Sequence, residues 1–233
     1  MARKNEAEHL LRQGLYLSQI ARRMGISVKS VVQYLRTQIG EGSLRLSDLY
    51  FSWPATKREI LDQANRTKYP DVHLLSANDL SRDDLELFQS LKSRRVFAGD
   101  LYEHVSEAEV AIHRLVRSRL EREFSSGRDA WWRGGIPSSI REKCAVRREQ
   151  DENPCDEPYA YTTLIDLVPV ISKNWSLFVA EVPKEYRTNR KQLESDLVRL
   201  NGIRNSVMHP VKERKWSEDD FVFVRRIRAL FGV

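Results

Sequence analysis

Hydrophobic residues recur along the chain at the three- and four-residue spacing of amphipathic α-helices, without a convincing run of alternating strand positions. One long stripe runs from Leu101 to Phe124, and another from Leu193 to Ile203. The stripes are separated by glycine, proline and polar clusters, as at residues 40–42 and 151–158. This pattern predicts an all-α protein with three parts, at residues 1–39, 40–99 and 100–233.

Residues 1–39 have the pattern of a short helix, a second short helix, a tight turn and a longer helix. Gly25 suits the left-handed end of the second helix, and Ser27 is placed to cap the third. The stretch LSQIARRMGISVKSVVQYLRTQ resembles the helix-turn-helix of bacterial DNA-binding proteins, in which the second helix enters the major groove. That resemblance implies DNA contacts by Ser27, Lys29, Ser30, Gln33 and Arg36. Such trihelical units are also used for dimerisation, so both uses stay open.

Residues 40–99 form a connecting region in this interpretation. Pro54 begins a helix that runs to about Asn65, and Ser81 begins another that ends near Gly99. We assign the region no chemistry. It is expected to link the flanking domains or to pack against a partner chain.

The C-terminal part begins with a long helix from Asp100 that contains His104 and His113, both expected to be surface or structural residues. Gly134 and Gly135 predict a turn after the paired tryptophans at 131–132. We expect these tryptophans to pack in the core, with one of them near the surface. The alternative is that one stacks on an RNA base.

The candidate chemistry lies in the stretch LNGIRNSVMHPV, residues 200–211. A cation such as Arg204 can hold phosphoryl oxygens, while an imidazole such as that of His209 moves protons. Their spacing separates the two side chains by about 140° on a straight helix. Pro210 disfavours helical dihedrals at His209, so the helix is predicted to end there and free the imidazole.

Four motifs occur in a fixed order: the double tryptophan, IP-x-x-IR at 136–141, N-W-x-x-F at 174–178 and R-N-x-x-x-H at 204–209. Together they resemble one branch of the HEPN superfamily of small all-α domains. The resemblance implies a metal-independent endoribonuclease without a cofactor, working as a homodimer whose two motifs meet at one cleft. Two His209 copies would act as base and acid, and Arg204 would stabilise the phosphorane. Asn205 would orient the phosphate or brace the partner's motif, or would be a polar residue of the dimer interface.

The formal net charge of +6 and the pI near 9.4 indicate a polyanionic partner such as nucleic acid. Lys212, Arg214 and Lys215 follow the motif and are candidates for holding an RNA backbone, or they form a solvated basic loop. Cys144 and Cys155 cannot supply a four-ligand zinc site, and we expect reduced thiols. With no apolar leader or membrane-length segment, a cytoplasmic protein without membrane contact is expected.

Three functions follow from these patterns. The first is the HEPN ribonuclease, in a toxin or anti-phage defence setting with a partner protein from the same operon. The second is a DNA-binding regulator or adaptor, whose C-terminal domain dimerises or binds a partner or ligand without catalysis. The third combines them in a nuclease that represses its own operon.

Overall fold

The computed structural model describes residues 3–67, 71–93, 97–127, 129–209 and 216–233. Within these ranges the regular structure is helical and no strand occurs, so the all-α prediction is confirmed. A search of the same ranges finds no helix with the length and hydrophobicity needed to cross a membrane. The chain divides into two compact units, Met1–Asp100 and Leu101–Val233, and the boundary falls within one long helix.

In its described residues, the first unit contains seven helices and the first residues of an eighth. They are α1 (Arg3–Arg12), α2 (Leu17–Met24), α3 (Val28–Gly40), α4 (Leu46–Tyr50), α5 (Ala55–Asn65), α6 (Val72–Ala77), α7 (Arg82–Ser93) and α8 (Phe97–Glu123). Helices α1, α2 and α3 pack against one another in pairs. Their core side chains belong to the same buried cluster as Trp53, Leu61 and Phe88. The buried residues between Leu44 and Leu91 therefore share one core with the predicted helix-turn-helix, whereas we expected a region that links the flanking domains or packs against a partner chain.

The turn between α2 and α3 has the expected geometry. Gly25 lies in the left-handed region with φ 63°, where a residue without Cβ avoids strain. Ser27 is extended, and its side chain accepts a hydrogen bond from the Ser30 N–H at 3.1 Å. Helix α4 and helix α6 were not predicted, because five and six residues are too few to show a helical period.

A polar contact lies inside the first unit. Trp53 is fully buried, and its indole N–H donates to Asp84 Oδ1 at 3.2 Å. The N–H and the hydroxyl of Ser81 donate to the other carboxylate oxygen at 2.9 and 2.5 Å. Burial raises the pKa of Asp84, and the hydrogen bonds from Ser81 and Trp53 offset this only in part.

The second unit continues α8 and adds six helices in its described residues: α9 (Ala130–Gly135), α10 (Ser138–Glu149), α11 (Leu167–Lys173), α12 (Trp175–Phe178), α13 (Arg190–Met208) and α14 (Glu218–Leu230). Three short 3-10 helices lie between them, at Pro158–Tyr161, Leu164–Asp166 and Lys184–Tyr186. Ser217 caps α14 with Asp220 in a capping box.

Two predicted breaks lie elsewhere in the structure. Gly99 lies in the first turn of α8 and does not end the preceding helix, which spans Arg82–Ser93. Gly134 and Gly135 are the last two residues of α9, and the break that we predicted at them follows at Ile136 and Pro137, before α10 begins. A Cβ at Gly135 would lie 2.7 Å from a methyl carbon of Leu120, so these glycines allow α9 to approach α8 closely.

A second buried aspartate lies in this unit. Asp166 Oδ2 accepts hydrogen bonds from the N–H and the hydroxyl of Thr163 and from the Arg147 guanidinium at 2.5 Å. Burial acts to raise the pKa of Asp166, but the hydrogen bonds from Arg147 and Thr163 outweigh it, and the pKa lies below its ordinary value.

Candidate functional site

Helix α13 carries the predicted catalytic residues at its C-terminal end. Asn189 caps its start by accepting a hydrogen bond from the Gln192 N–H, and a stripe of buried residues fixes its orientation: Leu193, Leu197, Leu200 and Ile203. The helix ends at Met208, and His209 has φ −126° and ψ 67°, outside the helical region. The predicted helix end is thus confirmed, while Pro210 lies outside the described residues.

Arg204 is held by an acidic residue from another helix. Its Nε donates to Glu109 Oε2 of α8 at 3.3 Å, across a sequence separation of 95 residues. One terminal nitrogen also lies 3.4 Å from Asn205 Oδ1, a weak contact at the limit of a hydrogen bond. The Arg204 side chain is 28% exposed and that of Glu109 20% exposed, so the pair is half-buried but open on one side.

A shallow groove runs beside this ion pair. Its α8 side presents Tyr102 and Ser106, two turns and one turn before Glu109 respectively, and its α13 side presents Val207 and Met208. Tyr102 is 47% exposed and Met208 42% exposed, which is high for large apolar side chains. The guanidinium therefore lies in a groove with an exposed apolar rim.

His113 lies one helical turn after Glu109, on the same face of α8. The hydroxyl of Tyr159 donates to the His113 carbonyl, and the same oxygen lies 3.2 Å from His113 Nδ1. This arrangement assigns the imidazole hydrogen to Nδ1 and leaves Nε2 as the basic nitrogen. Burial lowers the pKa of His113 and outweighs the opposing charges of Glu109 and Asp166, so the ring is neutral at neutral pH.

Sequence reasoning missed Glu109 as the partner of Arg204 and left His113 as a surface or structural residue. A signal was present, since Glu109 and His113 lie four residues apart and so share one face of α8. It did not identify the partner, because the contact with Arg204 joins two helices that are distant in sequence.

The imidazole of His209 is exposed and makes no hydrogen bond or ion pair to the described residues; its backbone N–H donates to the Asn205 carbonyl at 3.1 Å. The structure brings Arg204 and Asn205 together with Glu109, and it leaves the His209 ring free to meet a ligand or a partner chain. The predicted RNA-binding residues Lys212, Arg214 and Lys215 lie outside the described residues.

The predicted DNA-contacting residues lie on α3 and its cap. Ser27 and Ser30 bond to each other through their hydroxyl groups at 2.9 Å, in addition to the cap bond. The other three, Lys29, Gln33 and Arg36, are exposed and line a groove whose opposite wall is α7. That wall presents Asp83 and Glu86, so carboxylates share the groove with the predicted DNA-reading side chains.

Within the described residues, no group of three or more His, Cys, Asp or Glu side chains is placed to hold a metal ion. Cys144 is a buried free thiol and Cys155 an exposed one. Burial raises the pKa of Cys144, so this thiol stays protonated at neutral pH.

Comparison of the chain with protein-family models, with curated proteins and with solved structures finds no match. The likenesses to the HEPN superfamily and to helix-turn-helix proteins are therefore predictions carried by the sequence motifs.

Proposed function

We propose that the chain is a metal-independent endoribonuclease of the HEPN type, working as a homodimer in a toxin or defence setting. The observation that carries the proposal is the pairing of Arg204 with Glu109 beside an exposed His209 at the end of the same helix. A guanidinium fixed by a carboxylate keeps its orientation, and its remaining N–H groups can bind a phosphate.

The chemistry explains why two chains would be needed. Attack by the ribose 2′-hydroxyl requires a base that accepts its proton and an acid that protonates the departing 5′-oxygen. One exposed imidazole cannot occupy both sides of the phosphate at once. Two His209 rings can share the roles, since an imidazole can accept a proton on one side of the phosphate and donate one on the other. Two Arg204 side chains would stabilise the negative charge of the phosphorane.

The apolar rim supports the dimer. Tyr102 and Met208 flank the groove that holds Arg204, and aromatic residues and methionine are enriched at protein interfaces. Pairing of this face with its copy in a second chain would bury both side chains and bring two R-N-x-x-x-H motifs together. Tyr102→Glu should therefore give a monomer in sedimentation experiments and lower the rate of RNA cleavage.

The experiment is cleavage of a labelled single-stranded RNA in the presence of a chelator. We expect products ending in a 2′,3′-cyclic phosphate and no cleavage of the same RNA with 2′-O-methyl groups. His209→Ala should abolish cleavage. His73→Ala is a matched control, because this exposed histidine follows Arg66 at a similar spacing but lies in the other unit. Cleavage of the 2′-O-methyl RNA, or full activity of His209→Ala, would refute the proposal.

The second candidate is a DNA-binding regulator. It is supported by the capped turn before α3 and by the exposure of Lys29, Gln33 and Arg36. Against it stand Asp83 and Glu86, which line the same groove and would repel a phosphate backbone. Binding of duplex DNA that is lost in Arg36→Ala and strengthened in Asp83→Asn would favour this function, alone or combined with RNA cleavage.

A further inference from the structure

Three of the ordered sequence motifs meet in a part of the second unit that the proposed catalytic site does not use. Trp132, from the double tryptophan, and Arg141, from IP-x-x-IR, line one groove. Asn174, from N-W-x-x-F, is buried, and its amide donates to the Gly135 carbonyl at 2.8 Å, which fixes the end of α9. The motifs thus build one local structure around the Trp132 side chain.

The groove is large enough for a small ligand. Its volume is about 430 Å³, within the range of about 300–1,000 Å³ typical of ligand sites. Its wall combines an aromatic ring and a guanidinium with small or rigid apolar residues: Ala145, Pro154 and Pro158. This mixture suits a ligand that is flat at one end and anionic at the other.

Trp132 is a fixed platform in this groove. Its ring lies edge-to-face with Trp131 at 6.0 Å and with Tyr159 at 6.4 Å between ring centroids. Trp131 is buried, whereas Trp132 is half-buried. A rigid aromatic ring with one accessible side is what stacking on a nucleobase requires, since every base has a π-face.

Arg141 supplies the charge. Its Nε is buried without a hydrogen-bond acceptor, and its guanidinium makes no ion pair with the described residues. Arg147, on the same helix, is already paired with Asp166. Arg148 and Glu149 also line the groove; Arg148 lies 3.6 Å from the fully exposed Asp156, and Glu149 is exposed. Arg141 therefore lines the groove with a buried N–H group that has no acceptor among the described residues and is available to an anionic ligand.

We propose that this groove binds one nucleotide unit, with its base stacked on Trp132 and its phosphate on Arg141. The unit is either a residue of single-stranded RNA or a free nucleotide, which share this chemistry. The choice of RNA as the main source rests on the proposed function. The nucleotide site itself does not, because it depends on binding and not on cleavage.

The test is equilibrium binding of the full-length protein to fluorescent 2′-O-methyl RNA hexamers, which resist cleavage by 2′-hydroxyl attack, and separately to fluorescent AMP. Trp132→Ala should weaken binding by roughly 5- to 100-fold, the loss expected for one stacked base. Trp132→Phe should keep most of the affinity. Arg141→Ala should weaken binding about 10-fold, the loss of one charge-assisted hydrogen bond. Far-UV circular dichroism checks that each variant is folded.

Arg133→Ala is the matched control, because this exposed arginine follows Trp132 in the chain but does not line the groove. Its binding should equal that of the unchanged protein. Binding of the hexamer alone identifies a strand site, and binding of AMP alone identifies a free-nucleotide site. Absence of binding to both probes overturns the proposal, as does equal weakening by Arg133→Ala and Arg141→Ala.

The two proposals fail separately. If the hexamer binds through Trp132 and Arg141 while unmodified RNA is not cleaved, the nucleotide site stands and the ribonuclease does not. If unmodified RNA is cleaved while neither variant changes the affinity for either probe, the ribonuclease stands and the nucleotide site does not.

Discussion

The two compact units each bury an aspartate in the same local motif, yet they give it opposite surroundings. In the first unit, Asp84 accepts hydrogen bonds from Ser81 and from the neutral indole of Trp53. In the second, Asp166 accepts equivalent hydrogen bonds from Thr163, but its third donor is the guanidinium of Arg147. The pKa of Asp84 is raised and that of Asp166 is lowered.

This difference shows how the donors around a buried carboxylate set its pKa in each unit. Neutral donors compensate only part of the desolvation of a carboxylate, whereas a cation can more than compensate it. The second unit has a similar ion pair at its candidate site, where Glu109 holds Arg204. The first unit instead places Asp83 and Glu86 in a groove with its exposed cations. On this basis we expect RNA chemistry in the second unit.

The largest expected effect is on the rate of RNA cleavage, which should depend on the second unit and not on the first. Arg204→Ala should lower the rate of RNA cleavage by about 100-fold or more, the cost of removing one preorganised donor from a developing anion. Arg36→Ala, which removes an exposed arginine from the first unit, should leave that rate unchanged. The measurement is single-turnover cleavage with chelator present. Equal losses in both variants would mean that the chemistry is not confined to the second unit.

The next effect concerns the stability of the second unit. Arg147→Ala leaves Asp166 buried without a cation, and the free energy of unfolding should fall by about 3 kcal/mol. Arg148→Ala is the matched control and should change it by less than about 0.5 kcal/mol, because this arginine is paired only at long range with an exposed carboxylate. Urea unfolding followed by peptide-resolved hydrogen exchange reports each unit separately. A loss that appears equally in peptides of α7 would contradict the assignment.

A smaller effect distinguishes two glycines. Gly135→Ala should cost about 2 kcal/mol, because the new Cβ would lie 2.7 Å from a methyl carbon of Leu120, which is fully buried. Gly40→Ala should stabilise the first unit by about 0.5 kcal/mol, since its Cβ would meet nothing within 4 Å. Thermal unfolding measures both. A neutral Gly135→Ala would show that α9 and α8 are not closely packed.

Glycines and helix ends show what the sequence alone predicts and what it does not. Local signals indicated the capped turn at Gly25 and the end of α13 beside His209, because each depends on residues within one turn. Gly134 and Gly135 were predicted to form a turn, but they are the end of α9 and lie close to neighbouring side chains, since a missing side chain serves a bend and a close helix contact equally well.

The candidate site also contains residues that the sequence predicts and residues that it does not. Arg204, Asn205 and His209 are recognisable because they form a local motif, although their catalytic role stays a prediction. Glu109 is not recognisable, because only the packing of α8 on α13 brings it to Arg204. The Asp84 contact with Trp53 likewise spans 31 residues. The periodic spacing of hydrophobic residues predicts where helices form, but it does not predict which helices contact one another.

The smallest expected effect is the pH dependence that follows from the two aspartates. The pKa of Asp84 is above its unfolded value, so the stability gained by its protonation is full below about pH 4 and is lost as the pH rises through the folded-state pKa. The pKa of Asp166 is below its unfolded value, so its contribution is present above about pH 4 and is lost as the pH falls through the folded-state pKa.

Acidification from neutral pH to about pH 4 should therefore stabilise the first unit through Asp84, and further acidification should destabilise the second through Asp166. Asp84→Asn should remove the first change and Asp166→Asn the second, while Asp83→Asn, at an exposed neighbour, should remove neither. The measurement is peptide-resolved hydrogen exchange in urea, corrected for the intrinsic rate at each pH. If Asp84→Asn and Asp83→Asn have the same pH dependence, the Asp84 carboxylate does not carry the charge penalty that its neutral surroundings imply, and the contrast between the units must come from other groups.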